Sequence, residues 1–159
     1  MTTRRCDTCT RLIARDQGTA PLWDAIYRAD FWDVAHSCNT SLAGWLVLIA
    51  RRHIETIAEL TQPEALELGL LLKRVSHAVQ AATGCVKTYV VQFAEADEHP
   101  HVHFHIVPRM ADQPRERCGP HVFAHLGVAE HERVDEATMN ELARRIRAIL
   151  EANQGLTED

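Results

Sequence analysis

The 159-residue sequence lacks the features that mark several protein classes. Its longest apolar run covers residues 45–50, far below the about 18 apolar residues of a transmembrane helix. The first residues are polar, include Arg4 and Arg5, and lack the apolar core of a signal peptide. The chain has 17 basic residues (Lys and Arg) and 22 acidic residues (Asp and Glu), and the resulting net charge of -5 disfavours bulk binding to a nucleic-acid backbone. We therefore expect neither a membrane nor a nucleic acid as a partner.

The five cysteines do not form a disulfide pattern. Their number is odd and their spacings are uneven, unlike the frameworks of small secreted domains. We therefore expect reduced thiols and a cytoplasmic protein. The chain length fits one domain spanning residues 1–159, and a domain of this size buries enough surface to fold without disulfides.

Hydrophobic spacing predicts the secondary structure. Residues 61–64 read Thr-Gln-Pro-Glu, the form of a capping box that starts a helix, and Gly84 supplies a stop. The expected elements are a short helix or turn at 6–18, edge strands at 23–28 and 31–36, a central strand at 44–50, a helix at 61–84, strands at 86–93 and 102–108, and a C-terminal helix at about 135–152. This order predicts an α+β domain with a mainly antiparallel sheet of about five strands, a central helix and a C-terminal helix.

Residues 99–109, which read HPHVHFHIVPR, are the most informative segment. Because side chains alternate faces along a strand, His101, His103 and His105 share one face, about 7 Å apart in succession. The apolar residues between them face the other side and can pack on the helices. Three interpretations are open: a solvated polar face, a metal site built on a His-x-His pair, and a nucleophilic imidazole supported by neighbouring imidazoles.

This segment resembles the signature of the histidine triad (HIT) superfamily of nucleotide hydrolases and transferases, in which three alternating histidines precede a Pro-Arg pair. Further features in the family's order are Cys6-x-x-Cys9, the run from Gly44, Arg51-Arg52-His53-Ile54, the capped helix at Thr61 and Gln92. The resemblance covers most of the chain, and in particular the chain resembles the bacterial branch often described as diadenosine polyphosphate hydrolases. It implies a HIT-like domain and a homodimer whose central sheets continue across a two-fold axis.

The resemblance also implies a role for each matching residue. His103, the middle histidine, would attack the α-phosphate of a nucleotide and form a nucleotidyl-histidine, and His105 would contact phosphate oxygens. Gln92, with Ser37 or Asn39, would bind the substrate, whose class would be diadenosine polyphosphates or nucleoside phosphoramidates. A nucleotidyltransferase or phosphorylase that uses phosphate as acceptor, and a nucleotide-binding regulatory protein with little turnover, are the alternatives.

The chain also departs from the family pattern. His99-Pro100-His101 imitates the His-Pro-His of the related galactose-1-phosphate uridylyltransferases, a register that would make His101 the nucleophile. The Pro-Arg tail favours His103 instead. Trp45 follows Gly44 where family members often carry Gly-His, and Glu98 stands where a small hydroxyl residue often aids the leaving group.

Cys6 and Cys9 have the spacing of one half of a tetrahedral zinc site. Unligated structural cysteines and a redox pair are the alternatives. In zinc-containing members of the family, the other ligands are the histidine after the central strand and the first triad histidine, which correspond to His53 and His101. The resemblance therefore implies a structural Cys₂His₂ zinc site, with an N-terminal metal-binding segment at about 1–20.

Overall fold

The computed structural model describes residues 6–152. Residues 1–5 of the expected metal-binding segment and residues 153–159 of the expected domain lie outside this range. The described chain forms three α-helices and five strands. In order they are α1 (Asp7–Asp16), β1 (Tyr27–Arg28), β2 (Trp32–His36), β3 (Leu46–Ala50), α2 (Gln62–Thr83), β4 (Lys87–Val91), β5 (His103–Arg109) and α3 (Glu136–Ala152). No helix within 6–152 is long and apolar enough to cross a lipid bilayer.

The five strands form one antiparallel sheet in the order β1-β2-β3-β5-β4. The α+β fold expected from the sequence is confirmed, and the strand expected at 44–50 is the central strand, Leu46–Ala50. In the β3–β5 pair, Ile49 lies opposite His103 and Val47 lies opposite His105. The strand that carries the histidines is therefore enclosed by a neighbour on each side.

The two faces of the sheet pack against different elements. On one face, Leu48, Phe104 and Ile106 join a large core with the apolar sides of α2 and α3. On the other face, Ile49 packs against Leu12 of α1. Because successive side chains of β5 alternate, the apolar residues face α2 and α3, while the histidines between them face the opposite side.

Helix α2 begins and ends as the sequence predicts. The Thr61 backbone N–H donates to the Glu64 carboxylate at 2.7 Å, and the Glu64 backbone N–H donates to Thr61 Oγ1 at 3.4 Å, which completes the capping box. Gly84 follows the last turn with φ of +72°, the left-handed conformation that favours glycine.

The strand expected at 23–28 is mostly replaced by a 3₁₀ turn, Leu22–Asp24, followed by the two residues of β1. The Trp23 backbone N–H donates to the side-chain oxygen of Asn140 on α3 at 3.1 Å. The Asp24 carboxylate accepts from Arg15 of α1 at 2.9 Å. Asn140 lies 117 residues away and Arg15 belongs to a separate helix nine residues away, so the turn follows from tertiary contacts rather than from local propensity.

Candidate active site and metal centre

His103 and His105 lie two residues apart on β5, with ring centroids 5.0 Å apart and ring planes at 80°. His103 Nδ1 is 2.7 Å from the backbone carbonyl oxygen of His101. Because a carbonyl oxygen only accepts, His103 carries its proton on Nδ1, and Nε2 keeps a free lone pair. Burial lowers the pKa of His103, so the ring is neutral at pH 7. A neutral imidazole with a free Nε2 lone pair is the form that acts as a nucleophile.

The Nδ1 atom of His105 faces a hydrogen-bond donor, whereas that of His103 faces an acceptor. The indole Nε1 of Trp45 lies 3.1 Å from His105 Nδ1, and the two rings meet edge to face at a centroid distance of 5.7 Å. Burial, with a smaller contribution from the nearby His103, lowers the pKa of His105 to about 4. His105 is therefore neutral at pH 7.

A cleft of about 530 Å³ opens in front of these two imidazoles. Ser37 and Asn39 line it after the end of β2, and the Ser37 hydroxyl donates to the Asn39 side-chain oxygen at 3.2 Å. The remaining lining residues come from α1, the segments around β2 and β3, the loop after β4, and the segment at 123–126. They are Thr8, Arg11, Arg15, Asp24, His36, Cys38, Val47, Ile49, Phe93, Ala94, Glu95, Ala96, His99, Phe123 and Leu126. The volume is in the usual range for a pocket that takes a small organic ligand.

His36 fixes the turn that leads into β3. Its Nδ1 donates to the Ser37 carbonyl oxygen at 2.7 Å, and its Nε2 accepts from the Gly44 backbone N–H at 2.9 Å. Gly44 has φ of +86°, and a Cβ there would lie 2.6 Å from the Thr83 side chain. This position therefore requires glycine, and the turn sets the direction in which Trp45 enters the site.

Four ligating side chains meet at one end of β5. The Sγ atoms of Cys6 and Cys9 and ring nitrogens of His53 and His101 all lie within 4.8 Å of one another. The two Nδ1 atoms are 3.3 Å apart, and Cys9 Sγ lies 3.2 Å from His53 Nδ1 and 3.6 Å from His101 Nδ1. Cys6 Sγ lies 3.7 Å from His101 Nδ1. Tetrahedral zinc with Zn–S of about 2.3 Å and Zn–N of about 2.0 Å would place its ligand atoms about 3.3–3.8 Å apart. The donor set fits a zinc ion.

The protonation states of His101 and Cys9 also favour a bound cation in this cluster. His101 Nε2 donates to the Ala50 carbonyl oxygen at 2.6 Å, which leaves the Nδ1 lone pair directed at the thiols. Burial and the adjacent Cys6 thiol raise the pKa of Cys9 to about 11. Two thiolates at this position therefore need a positive charge beside them.

Comparison with known proteins identifies the family. Residues 24–112, more than half of the chain, match the HIT domain. The chain belongs to the HIT domain family. No curated protein sequence matches this HIT protein.

Solved structures share its fold. They include a hypothetical histidine triad nucleotide-binding protein from Sulfolobus tokodaii (16% identity, TM-score 0.67, covering 92% of this chain and 94% of that one). A Zn-bound histidine triad family protein from Mycobacterium smegmatis has 18% identity and a TM-score of 0.64, with the same coverage of 92% and 94%. A Plasmodium falciparum diadenosine triphosphate hydrolase has 15% identity and a TM-score of 0.59, covering 80% of this chain and 76% of that one. At these identities the likeness establishes the fold.

Most of the site residues expected from the sequence of this HIT protein lie where they can act together. His103, His105, Ser37 and Asn39 all line the cleft, whereas Gln92 follows the end of β4 and is not among the lining residues. The roles of all five stay predictions. His99 lies outside the cysteine–histidine cluster, with its Nδ1 2.9 Å from Thr8 Oγ1.

Sequence reasoning missed several lining residues of this HIT protein. Thr8, Arg11 and Arg15 share one face of α1, and their three- and four-residue spacing was a usable signal. Phe93 and Phe123 meet at a centroid distance of 5.3 Å but are 30 residues apart, so no local pattern connects them.

Proposed function

We propose that this HIT protein hydrolyses or transfers nucleotides at the α-phosphate through a nucleotidyl-His103 intermediate. The observation that carries the proposal is the hydrogen bond between His103 Nδ1 and the His101 carbonyl oxygen. This bond holds the proton on Nδ1, so Nε2 of the neutral ring keeps its lone pair and can act as the nucleophile. His103 also lines the cleft in which a substrate would bind.

The proposed reaction has two displacements at phosphorus. In the first, a bond forms between His103 Nε2 and the α-phosphorus, and the bond from phosphorus to the leaving group breaks with its electron pair going to that group. In the second, water attacks the same phosphorus, the Nε2–P bond breaks, and the proton released from water goes to solvent. Throughout, Nδ1–H stays bonded to the His101 carbonyl, which stabilises the positive charge on the ring in the intermediate.

The substrate classes we propose are diadenosine polyphosphates and nucleoside phosphoramidates, as in the bacterial hydrolase branch that the sequence resembles. The cleft volume, Ser37 and Asn39 at its wall, and the His103–His105 pair support a nucleotide ligand. Two structural neighbours are described in similar terms, one as nucleotide-binding and one as a diadenosine triphosphate hydrolase.

The test is to capture the covalent adduct. We expect wild-type protein quenched during turnover of diadenosine polyphosphate to carry one nucleotidyl group on His103, located by peptide mass spectrometry. His103→Ala should form no adduct and show no turnover, while still binding nucleotide. Incorporation of added phosphate into the nucleotidyl product, which would then be a nucleoside diphosphate in place of the monophosphate, would identify a phosphorylase. Nucleotide binding with no turnover and no adduct in the wild-type protein would identify a regulatory binding protein.

We also propose that the cluster of Cys6, Cys9, His53 and His101 holds a structural zinc ion. Ligand spacings close to those of tetrahedral zinc, and the Zn-bound relative from Mycobacterium smegmatis, support this assignment. When bound, the ion would link α1 to the segments at the ends of β3 and β5. A site with two thiolates suits a reducing compartment, which supports the cytoplasmic localisation expected from the sequence.

Finally, we propose a homodimer formed through β4. This strand ends the sheet order. Val86, just before the strand, and Val90, within it, are about half exposed. Leu66 and Leu70 lie one turn apart on α2, which packs against β4, and both are also exposed. Exposed apolar residues on an edge strand and on the helix that packs against it are the kind of surface that a second copy covers.

A further inference from the structure

Trp45 is completely buried, and its indole N–H points at the catalytic face of β5. An indole nitrogen only donates, so His105 Nδ1, 3.1 Å away, must be the acceptor. The opposite arrangement, with a proton on His105 Nδ1, would place two donors face to face. In a buried pair this costs the free energy of two unmade hydrogen bonds.

The direction of this hydrogen bond fixes where His105 carries its proton. The ring is neutral at pH 7, and a neutral imidazole has a single N–H. With Nδ1 accepting from Trp45, that N–H is at Nε2, which is the nitrogen left for a ligand in the cleft that His105 lines. His103 has the reverse tautomer, with its proton on Nδ1. The two neighbouring imidazoles therefore offer the cleft one lone pair and one N–H.

The surroundings of Trp45 hold this arrangement rigid. Phe123 meets Trp45 edge to face at 5.4 Å and His105 at 5.5 Å, while Val107 and Val122 complete the buried cluster around the indole. A half-turn of the His105 ring would replace Nδ1 by a carbon atom and leave the buried indole N–H without its acceptor. The hydrogen bond therefore selects both the tautomer and the ring orientation.

We propose that Trp45 is a positioning residue of the active site, which holds His105 with Nε2–H directed at a non-bridging oxygen of the α-phosphate. The inference rests on the proposed function, since the phosphate oxygen belongs to that reaction. Trp45 does not touch the substrate and acts through His105. It stands where family members often carry a histidine, so the arrangement belongs to this chain rather than to the family pattern.

The first experiment compares two tryptophan variants. Trp45→Phe keeps an aromatic ring and removes the N–H, so we expect kcat to fall about 10-fold while the KM for nucleotide stays within twofold. Trp32→Phe is the matched control, because Trp32 is equally buried and its indole N–H donates to the Glu64 carbonyl oxygen at 2.9 Å, on the other face of the sheet. It should lose thermal stability and keep its kcat. Equal losses of kcat in the two variants would overturn the proposal.

A double-mutant cycle tests whether Trp45 acts through His105. His105→Ala removes the donor altogether and should lower kcat by roughly 10²–10³. The double variant Trp45→Phe/His105→Ala should then be no slower than His105→Ala alone. Effects that multiply would show that Trp45 contributes independently of His105, against the proposal.

Imidazole ¹⁵N NMR of the wild-type protein gives a readout that does not depend on turnover. We expect His105 to show a protonated Nε2 and an unprotonated, hydrogen-bonded Nδ1, and Trp45→Phe to change this pattern. A wild-type protein that shows this pattern but turns over no nucleotide would refute the proposed function and keep the positioning inference for a bound anion. A proton on Nδ1 in the wild-type protein would overturn the inference, whatever the activity.

Discussion

At the scale of single residues, three histidines that line the cleft, His36, His103 and His105, follow one rule. A carbonyl partner places the proton on the nitrogen that faces it, as at His103 Nδ1 and His36 Nδ1. An N–H partner places the proton on the other nitrogen, as at His105. Burial lowers the pKa of these three rings, so all three are neutral at pH 7. One neighbour sets the tautomer of His103 and of His105, and two neighbours that agree set the tautomer of His36.

His36 makes the stability of the fold depend on pH. Its pKa is about 4 in the folded protein against an ordinary 6.5, because burial disfavours the charged form. Both states are neutral well above pH 6.5, and between pH 6.5 and 4 the unfolded chain takes up the proton first. The contribution of His36 to the free energy of unfolding is therefore complete only well above pH 6.5 and declines as the pH falls. At pH 5 the loss is about 2 kcal/mol.

The variant His36→Gln should reveal that contribution. Glutamine does not titrate in this pH range. Between pH 7.5 and pH 5, we therefore expect the free energy of unfolding of the variant to fall by about 2 kcal/mol less than that of the wild-type protein. Urea unfolding at the two pH values measures both differences. The other buried histidines are common to both proteins and cancel in the comparison. Identical decreases in the two proteins would contradict the assignment.

At the scale of elements, the central pair β3 and β5 brings the two sites together. His53 follows the end of β3, and His101 precedes the start of β5, where its backbone carbonyl accepts from His103. Helix α1 runs past this end of the pair and brings both cysteines to it. One residue, His101, thus contributes its side chain to the cluster and its backbone to the proposed nucleophile.

Measuring the metal content of purified variants tests the cysteine–histidine cluster. Purified wild-type protein should carry about one zinc per chain, and Cys6→Ser/Cys9→Ser and His101→Ala should lose it with a lower melting temperature. Cys118→Ser, at a half-buried cysteine outside the cluster, is the matched control and should keep the metal. His99→Ala should also keep it. Loss of zinc on His99→Ala with full zinc in His101→Ala would support the alternative register, in which His101 is the nucleophile.

At the scale of the whole molecule, an exposed edge strand needs an explanation. β4 pairs with β5 on one side and is the last strand in the order of the described sheet. Val90 on this strand is 46% exposed, and Leu70 on α2 is 69% exposed. Soluble proteins usually protect such an edge with charges or cover it with another chain.

Dimerisation through β4 predicts that one charge placed there dissociates the dimer. We expect the wild-type protein to be dimeric at micromolar concentration in analytical ultracentrifugation and Val90→Glu to raise the dissociation constant at least 10-fold. Ile13→Glu is the control, since Ile13 is similarly exposed but lies on α1. A monomeric wild-type protein, or equal effects of the two substitutions, would rule out this interface.

The sequence predicts those parts of the molecule whose signals are local. Helix α2 carries its own capping box and glycine stop, and the alternation along β5 places the histidines on one face. The turn at Leu22–Asp24 and the contact of Phe93 with Phe123 depend on distant partners and could not be predicted locally. The Trp45–His105 hydrogen bond joins residues 60 positions apart, and it exists only because β3 and β5 pair in one particular register.

That register has a consequence for folding errors. A shift of one residue in the pairing of β5 would turn Phe104 and Ile106 away from the helices and push the histidines into the apolar core. Such a chain would lose its core contacts and its Trp45–His105 bond, and would displace His101 from the cysteine–histidine cluster, in a single step. Copies with this register shift are therefore unstable as well as inactive, so the same side-chain alternation that places the histidines also selects against the shifted pairing.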